Sequence, residues 1–318
     1  MDNAELRKYI LNFSLGDGPH GNQGYNRVLL QLFGYAGHGK SSFINSCKYI
    51  IDDREEFIEH AEPENIQSKG GKTMIRKAYD LTQNITIVDN RGFCTMKSFE
   101  RAEMYAQLGN FIPIGEEVIW TDNYTSMMNK LEDAELNLNY PDFIVPILIY
   151  SADYPMGPQR EELKKFLENC VIMTGIFPII VISKKESGVV KNIKEEFNNM
   201  GSKVIIPIEN YTKEDHDKTQ GKTEEILTII HKALEQVRSC LGERRESGRD
   251  WRQRKKFLLE YIHRADREKE EEQRKSVEAK RRAVEKKREE ERKEQEKRER
   301  EEEEKRKREQ QSWPCSIL

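Results

Sequence analysis

The run Gly34-Tyr35-Ala36-Gly37-His38-Gly39-Lys40-Ser41 reads G-x-x-x-x-G-K-[ST], a spacing that works only between a strand and a helix. Arg27-Val28-Leu29-Leu30-Gln31-Leu32-Phe33 precedes it and suits a buried strand. Ser42-Phe43-Ile44-Asn45-Ser46-Cys47-Lys48-Tyr49-Ile50 follows and suits a helix. In that setting Gly34, Gly37 and Gly39 let backbone N–H groups wrap an anion, with His38 and Ser42 alongside, and the helix N-terminus adds partial positive charge. Lys40 is expected to reach the β- and γ-phosphates, and the Ser41 hydroxyl to ligate magnesium. A glycine-rich loop that merely turns the chain is the competing reading. The strand, the helix and the Lys-Ser pair favour a bound nucleoside triphosphate with Mg2+.

Further apolar runs alternate with helical stretches, which implies a parallel sheet covered on both faces. Ile85–Val88, Phe143–Tyr150, Phe177–Ile182 and Lys203–Ile208 read as strands, and Thr73–Leu81 pairs with Ile85–Val88 through a turn at Gln83-Asn84. Helices are expected over 98–109, 158–173, 189–199 and 224–241, while 110–141 is ambiguous. Pro146 argues against a central position for its strand, since proline lacks a ladder donor. The expected division is a loose leader 1–26 carrying four glycines, a P-loop GTPase-like domain 27–241, an amphipathic and then highly charged helix 242–311, and a short tail 312–318. The formal net charge of -3 implies no bulk attraction to nucleic acid. Five scattered cysteines without C-x-x-C spacing make a zinc site or a disulfide framework unexpected and suit a reducing cytosol. Neither a signal peptide nor a membrane-spanning stretch is read, and Asp2 rather than glycine follows Met1.

Ile85-Thr86-Ile87-Val88-Asp89-Asn90-Arg91-Gly92 supplies a second element. The strand would deliver Asp89 to the metal's surroundings, and Gly92 would let the backbone approach a γ-phosphate, as D-x-x-G does in GTPases. Thr73, between the two elements, is a candidate to close the magnesium shell as a switch residue. Lys40, Thr73 and Gly92 are thus the residues expected to act on the γ-phosphate. Ser183-Lys184-Lys185-Glu186 falls where GTPases place N/T-K-x-D: the stem of Lys184 would lie on the base, and Glu186 would accept from guanine N1–H and N2–H₂. Asn210-Tyr211 sits where a loop would complete the base pocket. Phe93 occupies the position where many GTPases carry a water-orienting glutamine, which predicts slow hydrolysis. His38, Arg76 and Arg91 are candidates to stabilise charge.

The segments Arg27–Ser46, Asp89–Gly92, Ser183–Glu186 and Asn210-Tyr211, with Gln107-Leu108-Gly109-Asn110-Phe111-Ile112-Pro113, resemble the GTP-binding domain of the interferon-induced protein 44 family over 27–241. The resemblance implies a cytoplasmic GTPase-like protein using GTP/GDP and Mg2+, linked to innate immune responses. The order of GTPase domain, helices and C-terminal lipidation signal is similar to that of guanylate-binding proteins.

Trp251, Lys255, Leu258 and Ile262 share a helix face expected to pack on the preceding domain. From Arg264 to Gln311 apolar residues nearly vanish. Val277 and Val284 are a heptad apart, but no seam persists, so a solvated single helix about 70 Å long is preferred to a coiled coil. Cys315-Ser316-Ile317-Leu318 reads as a C-a-a-X box favouring a geranylgeranyl group on Cys315, with Lys305-Arg306-Lys307-Arg308 as the basic second signal. The combined expectation is a guanine-nucleotide switch or self-assembling, homo-oligomeric GTPase, peripheral on a cytosolic membrane face. The alternatives are a pseudo-GTPase scaffold that binds without turnover and an ATP-using P-loop enzyme.

Overall fold

The apolar runs form strands because they alternate faces and both faces are covered. In β1 (Arg27–Phe33), Val28, Leu30 and Leu32 join one buried cluster, while Leu29, Gln31 and Phe33 point to the opposite face. The computed structural model describes residues 1–62, 75–94, 96, 98–118, 123–135, 142–158, 160–187 and 189–311. Thr73 and Cys315 lie outside them, so their expected roles have no structural counterpart here.

The described elements run α1 (Asn3–Leu11), β1, α2 (Lys40–Ile51), β2 (Lys77–Thr82), β3 (Ile85–Asp89), α3 (Ser98–Leu108), α4 (Tyr124–Glu135), β4 (Asp142–Ser151), α5 (Arg160–Thr174), β5 (Ile179–Ser183), α6 (Val190–Asn199), β6 (Val204–Pro207), α7 (Gln220–Leu241) and α8 (Ser247–Gln311). The six strands lie in the order β2-β3-β1-β4-β5-β6, parallel except for β2, which pairs antiparallel with β3 at the edge. The chain is therefore α/β with a mixed-edge sheet and a long C-terminal helix. Strand order reverses at β1, whose neighbours are β3 and β4, so the loop after β1 opens at the crevice where such sheets bind ligands.

On one face α1, α2 and α7 cover the sheet. On the other, Phe166 of α5 meets Phe33 of β1 with ring centroids 5.2 Å apart, and Tyr105 of α3 stacks on Phe166 at 6.0 Å. The first residues are not the loose leader expected from their glycines. Asp2 and Glu5 form a reciprocal capping box, Glu5 N–H donating to Asp2 at 2.8 Å and Asp2 N–H to Glu5 at 3.0 Å. Leu6, Ile10, Phe13 and Leu15 are buried, and α1 packs on α7.

Pro146 sits in an inner strand after all. It pairs with Gln31 of β1, but the ladder to β5 begins only at Ile147, one residue later. On that side no pairing has started that would need its missing donor. The ambiguous stretch contains the short α4 and a loop through 109–118.

The chain divides into two units, Met1–His263 and Arg264–Leu318. Within the first, Leu258 and Ile262 of α8 are fully buried, Phe257 and Tyr261 lie 5.6 and 4.8 Å from Tyr105 of α3, and Trp251 meets Phe111 at 5.7 Å. The expected packing of this face is present. The second unit carries i,i+4 ion pairs such as Glu271–Lys275 and Glu289–Lys293, at 2.6 and 2.7 Å, with Val277 and Val284 exposed. Among the described residues, no helix is long and apolar enough to cross a membrane.

Candidate functional site

The Gly34–Ser41 loop leaves β1 and enters α2 through backbone conformations that favour glycine. Gly34, Gly37 and Gly39 have φ of 144°, 76° and 95°. Lys40 and Ser41 open α2 with 3% and 5% of their surfaces exposed. The Lys40 ammonium donates to the Tyr35 and Gly34 carbonyls at 3.2 and 3.4 Å, so it is folded back over its own loop. Ser42 is partly buried in the first turn, and its carbonyl accepts from Ser46 Oγ at 2.8 Å.

The Asp89–Gly92 turn comes to the same place. Phe93 N–H donates to the Gly34 carbonyl at 3.0 Å, and Phe93 bridges Tyr35 in parallel. A Cβ on Gly92 would lie 3.1 Å from Ala36 N and 3.2 Å from Lys40 Nζ, so glycine is what allows this approach. Asp89 is buried at the end of β3. Among the described residues, no group of three or more His, Cys, Asp and Glu is placed to hold a metal ion.

The other loops close on the far side. Ser183 Oγ, fully buried at the end of β5, donates to the His38 carbonyl at 2.7 Å. A Cβ on Gly39 would stand 3.3 Å from Ser183 Oγ and 3.4 Å from Asn210 Nδ2. Asn210 accepts from Ser46 Oγ at 3.4 Å, and Tyr211 N–H donates to Ser46 Oγ at 2.9 Å, tying the loop after β6 to α2. Lys184 takes a left-handed φ of 57° and pairs with the Asp153 carboxylate. Glu186 is exposed in the following 3-10 turn. Its backbone N–H donates to Glu209, a carboxylate the sequence did not single out, whose pKa burial raises. Ser183 and Asn210 thus gather against Gly39, whereas the Glu186 side chain is exposed.

Three charge-stabilising candidates fare differently. His38 is buried, stacked on Tyr154 with centroids 4.9 Å apart, and its Nδ1 accepts the Ser151 N–H at 3.1 Å, which leaves the proton on Nε2. Burial first, then Lys40 and Lys184, push its pKa down from 6.5 to about 3. Arg76 and Arg91 do not line the loop through any described bond. Arg76 binds Asn90, Asn110, Gln31 and the Ile112 carbonyl, and Arg91 donates to the Val118 carbonyl at 2.6 Å. Phe93, 2% exposed, is enclosed by Phe33, Tyr35 and Phe166. The sequence signal for the Arg76 network was Gln31, a polar residue inside an apolar strand that requires a partner once buried.

His38 gives a pH signature. The unfolded chain takes up the proton near pH 6.5, while the folded chain resists until about 3. Stability is therefore intact above 6.5 and falls as pH drops through this window, by about 1.4 kcal/mol per pH unit for one proton. In His38→Asn the amide oxygen keeps the acceptor for Ser151. Urea unfolding between pH 4.5 and 6.5 is expected to show a shallower slope in this variant by one proton's worth. Equal slopes would mean that His38 is not held neutral.

No family model and no curated protein matches the chain, so its own residues carry what can be said of its function.

Proposed function

We propose that this chain binds guanine nucleotide with Mg2+ in the Gly34–Ser41 loop and works as a switch with slow GTP hydrolysis. The observation that carries the reading is the convergence of two glycine turns on one ammonium: the left-handed loop after β1, and Gly92 with 3.2 Å between its virtual Cβ and Lys40 Nζ. A side chain at Gly92 would crowd Ala36 N and Lys40 Nζ, the groups expected to face a phosphate. The residues fit a magnesium nucleotide. Mg2+ commonly takes one or two protein oxygens with substrate phosphates and water, and Ser41 and Asp89 are a donor set of that kind. The ion would neutralise phosphate charge, while Lys40 and the loop amides would orient the phosphates.

The guanine assignment rests on Lys184 and Glu186 beside a strand end that Ser183 fastens to the loop. With the Mg2+-loaded full chain and a fluorescent GTP analogue, unlabelled GTP is expected to compete at least about tenfold better than ATP, a difference of about 1.4 kcal/mol. Glu186→Ala is expected to narrow that ratio. Equal competition by ATP would favour the ATP-using alternative.

A second reading, a scaffold that binds without turnover, draws on Phe93. Its ring is packed among other aromatic rings, and Arg76 and Arg91 are committed elsewhere, so the slow side of the activity scale is expected. Peripheral membrane attachment through Cys315 and Lys305–Arg308 belongs to the same proposal and rests on sequence.

A further inference from the structure

Asn90 lies between Asp89 and Gly92 but faces away from the phosphate loop. It is fully buried, donates to Gln31 Oε1 at 2.9 Å and accepts from Arg76 Nε at 2.9 Å. Arg76, also fully buried, spends its other donors on Gln31 Oε1 at 3.1 Å, Asn110 Oδ1 at 3.1 Å and the Ile112 carbonyl. Its backbone is clamped to the same loop: Arg76 N–H donates to the Glu116 carbonyl at 3.0 Å, and Gly115 N–H to the Arg76 carbonyl at 2.7 Å. Arg91 holds that region a second time, through Gln107 Oε1 at 3.0 Å and the Val118 carbonyl at 2.6 Å. The turn that touches Lys40 at its Gly92 end therefore grips α3 and the 109–118 loop at its other end.

Those gripped elements are the platform under the root of α8. Phe111, next to Asn110, meets Trp251; Tyr105 of α3 meets Phe257 and Tyr261; and Arg101 Nε donates to Tyr261 Oη at 2.9 Å. We propose that Arg76, Asn90 and Gln107 are positioning residues that couple occupancy of the phosphate loop to docking of the α8 segment Ser247–His263. A phosphate arriving at Lys40 must draw its ammonium off the Gly34 and Tyr35 carbonyls, and Gly92 stands against it with no spare space. A buried network with this many shared bonds in a close-packed interior does not absorb such a shift locally; it moves to a second arrangement as a unit. The coupling rests on the nucleotide reading above for its ligand, and by linkage it must run both ways.

The test uses the full chain, with hydrogen exchange followed by mass spectrometry without nucleotide and with GTPγS and Mg2+. A fluorescent analogue measures binding in parallel. Amides over 251–262 are expected to exchange at least about fivefold differently between the two states. Arg76→Lys keeps the charge but loses the fork, and is expected to abolish that difference. Tyr261→Phe removes the Arg101 bond, keeps the ring that packs on Tyr105, and is expected to change GTPγS affinity through the same linkage. A merely structural Arg76 would speed exchange equally in both states and leave their ratio unaltered, which overturns the proposal. Binding without any change over 251–262 overturns the coupling alone. Absence of binding overturns the nucleotide reading and the coupling with it.

Discussion

Lys40→Ala is expected to weaken GTPγS binding by at least about 100-fold while leaving the fold intact. The ammonium is held within the loop, 3% exposed, at 3.2 and 3.4 Å from two loop carbonyls. A charge-assisted hydrogen bond to an anion contributes about 1.5–3 kcal/mol, so losing two of them costs about 3–6 kcal/mol of affinity, from just above the hundredfold mark upward. Stability responds differently. Removing the ammonium alters stability only through the bonds the folded chain itself makes to it, so the urea midpoint is expected to stay far closer to the parent's than the affinity does. Titration calorimetry with GTPγS and Mg2+, beside urea unfolding, separates the two effects. Unchanged affinity would falsify phosphate binding at Lys40, and a collapsed urea midpoint would make Lys40 a folding residue instead.

What the sequence made legible is what periodicity and short motifs encode. The strand runs Arg27–Phe33 and Phe143–Tyr150 placed β1 and β4 closely, because their apolar residues are contiguous and both faces are buried. The loop motif placed the start of α2 at Lys40 because its glycines and the Lys-Ser pair have a fixed spacing. Residues 1–26 were misread because four glycines outweighed a shorter signal, the Asp2–Glu5 capping box followed by Leu6, Ile10 and Phe13 at helical spacing.

The interior of the candidate site was less legible, for a reason of distance along the chain. Gln31, Arg76, Asn90 and Asn110 belong to four separate segments, and nothing local to any of them names its partners. Gln31 announced that a partner was needed, not which one. Arg76 and Arg91 are candidates to stabilise charge by sequence, yet both are tied to the 109–118 segment. Lys184 and Glu186 follow β5 as expected, but the Lys184 ammonium pairs with Asp153 and the Glu186 backbone N–H with Glu209, residues far from them in sequence.

Gly34→Ala is expected to destabilise the fold by about 3–5 kcal/mol, the sum of a strained backbone and an overpacked contact. Gly34 has φ of 144°, and a Cβ there would lie 2.2 Å from the Ile149 carbonyl oxygen and 3.3 Å from its carbon. The obstacle is the backbone of β4, and no side-chain rotation relieves it. Ile149 is fully buried, paired with Val181 of β5 and one residue past the last β1 pair, Phe33–Leu148, so β4 cannot retreat without loosening pairs on both sides. Nor can Gly34 retreat, since its carbonyl accepts from Phe93 N–H at 3.0 Å and from Lys40 at 3.4 Å. Gly21→Ala supplies the control: φ is 65° and nothing lies within 4 Å of its virtual Cβ, so only the left-handed backbone cost of about 1–2 kcal/mol applies. Urea unfolding of the two variants measures the difference. If Gly34→Ala costs no more than Gly21→Ala, the end of β1 does not press on β4 as described. The larger loss, by contrast, means that the cradle's first glycine is required by the sheet before any ligand is considered, and that loop and β4 cannot be altered independently.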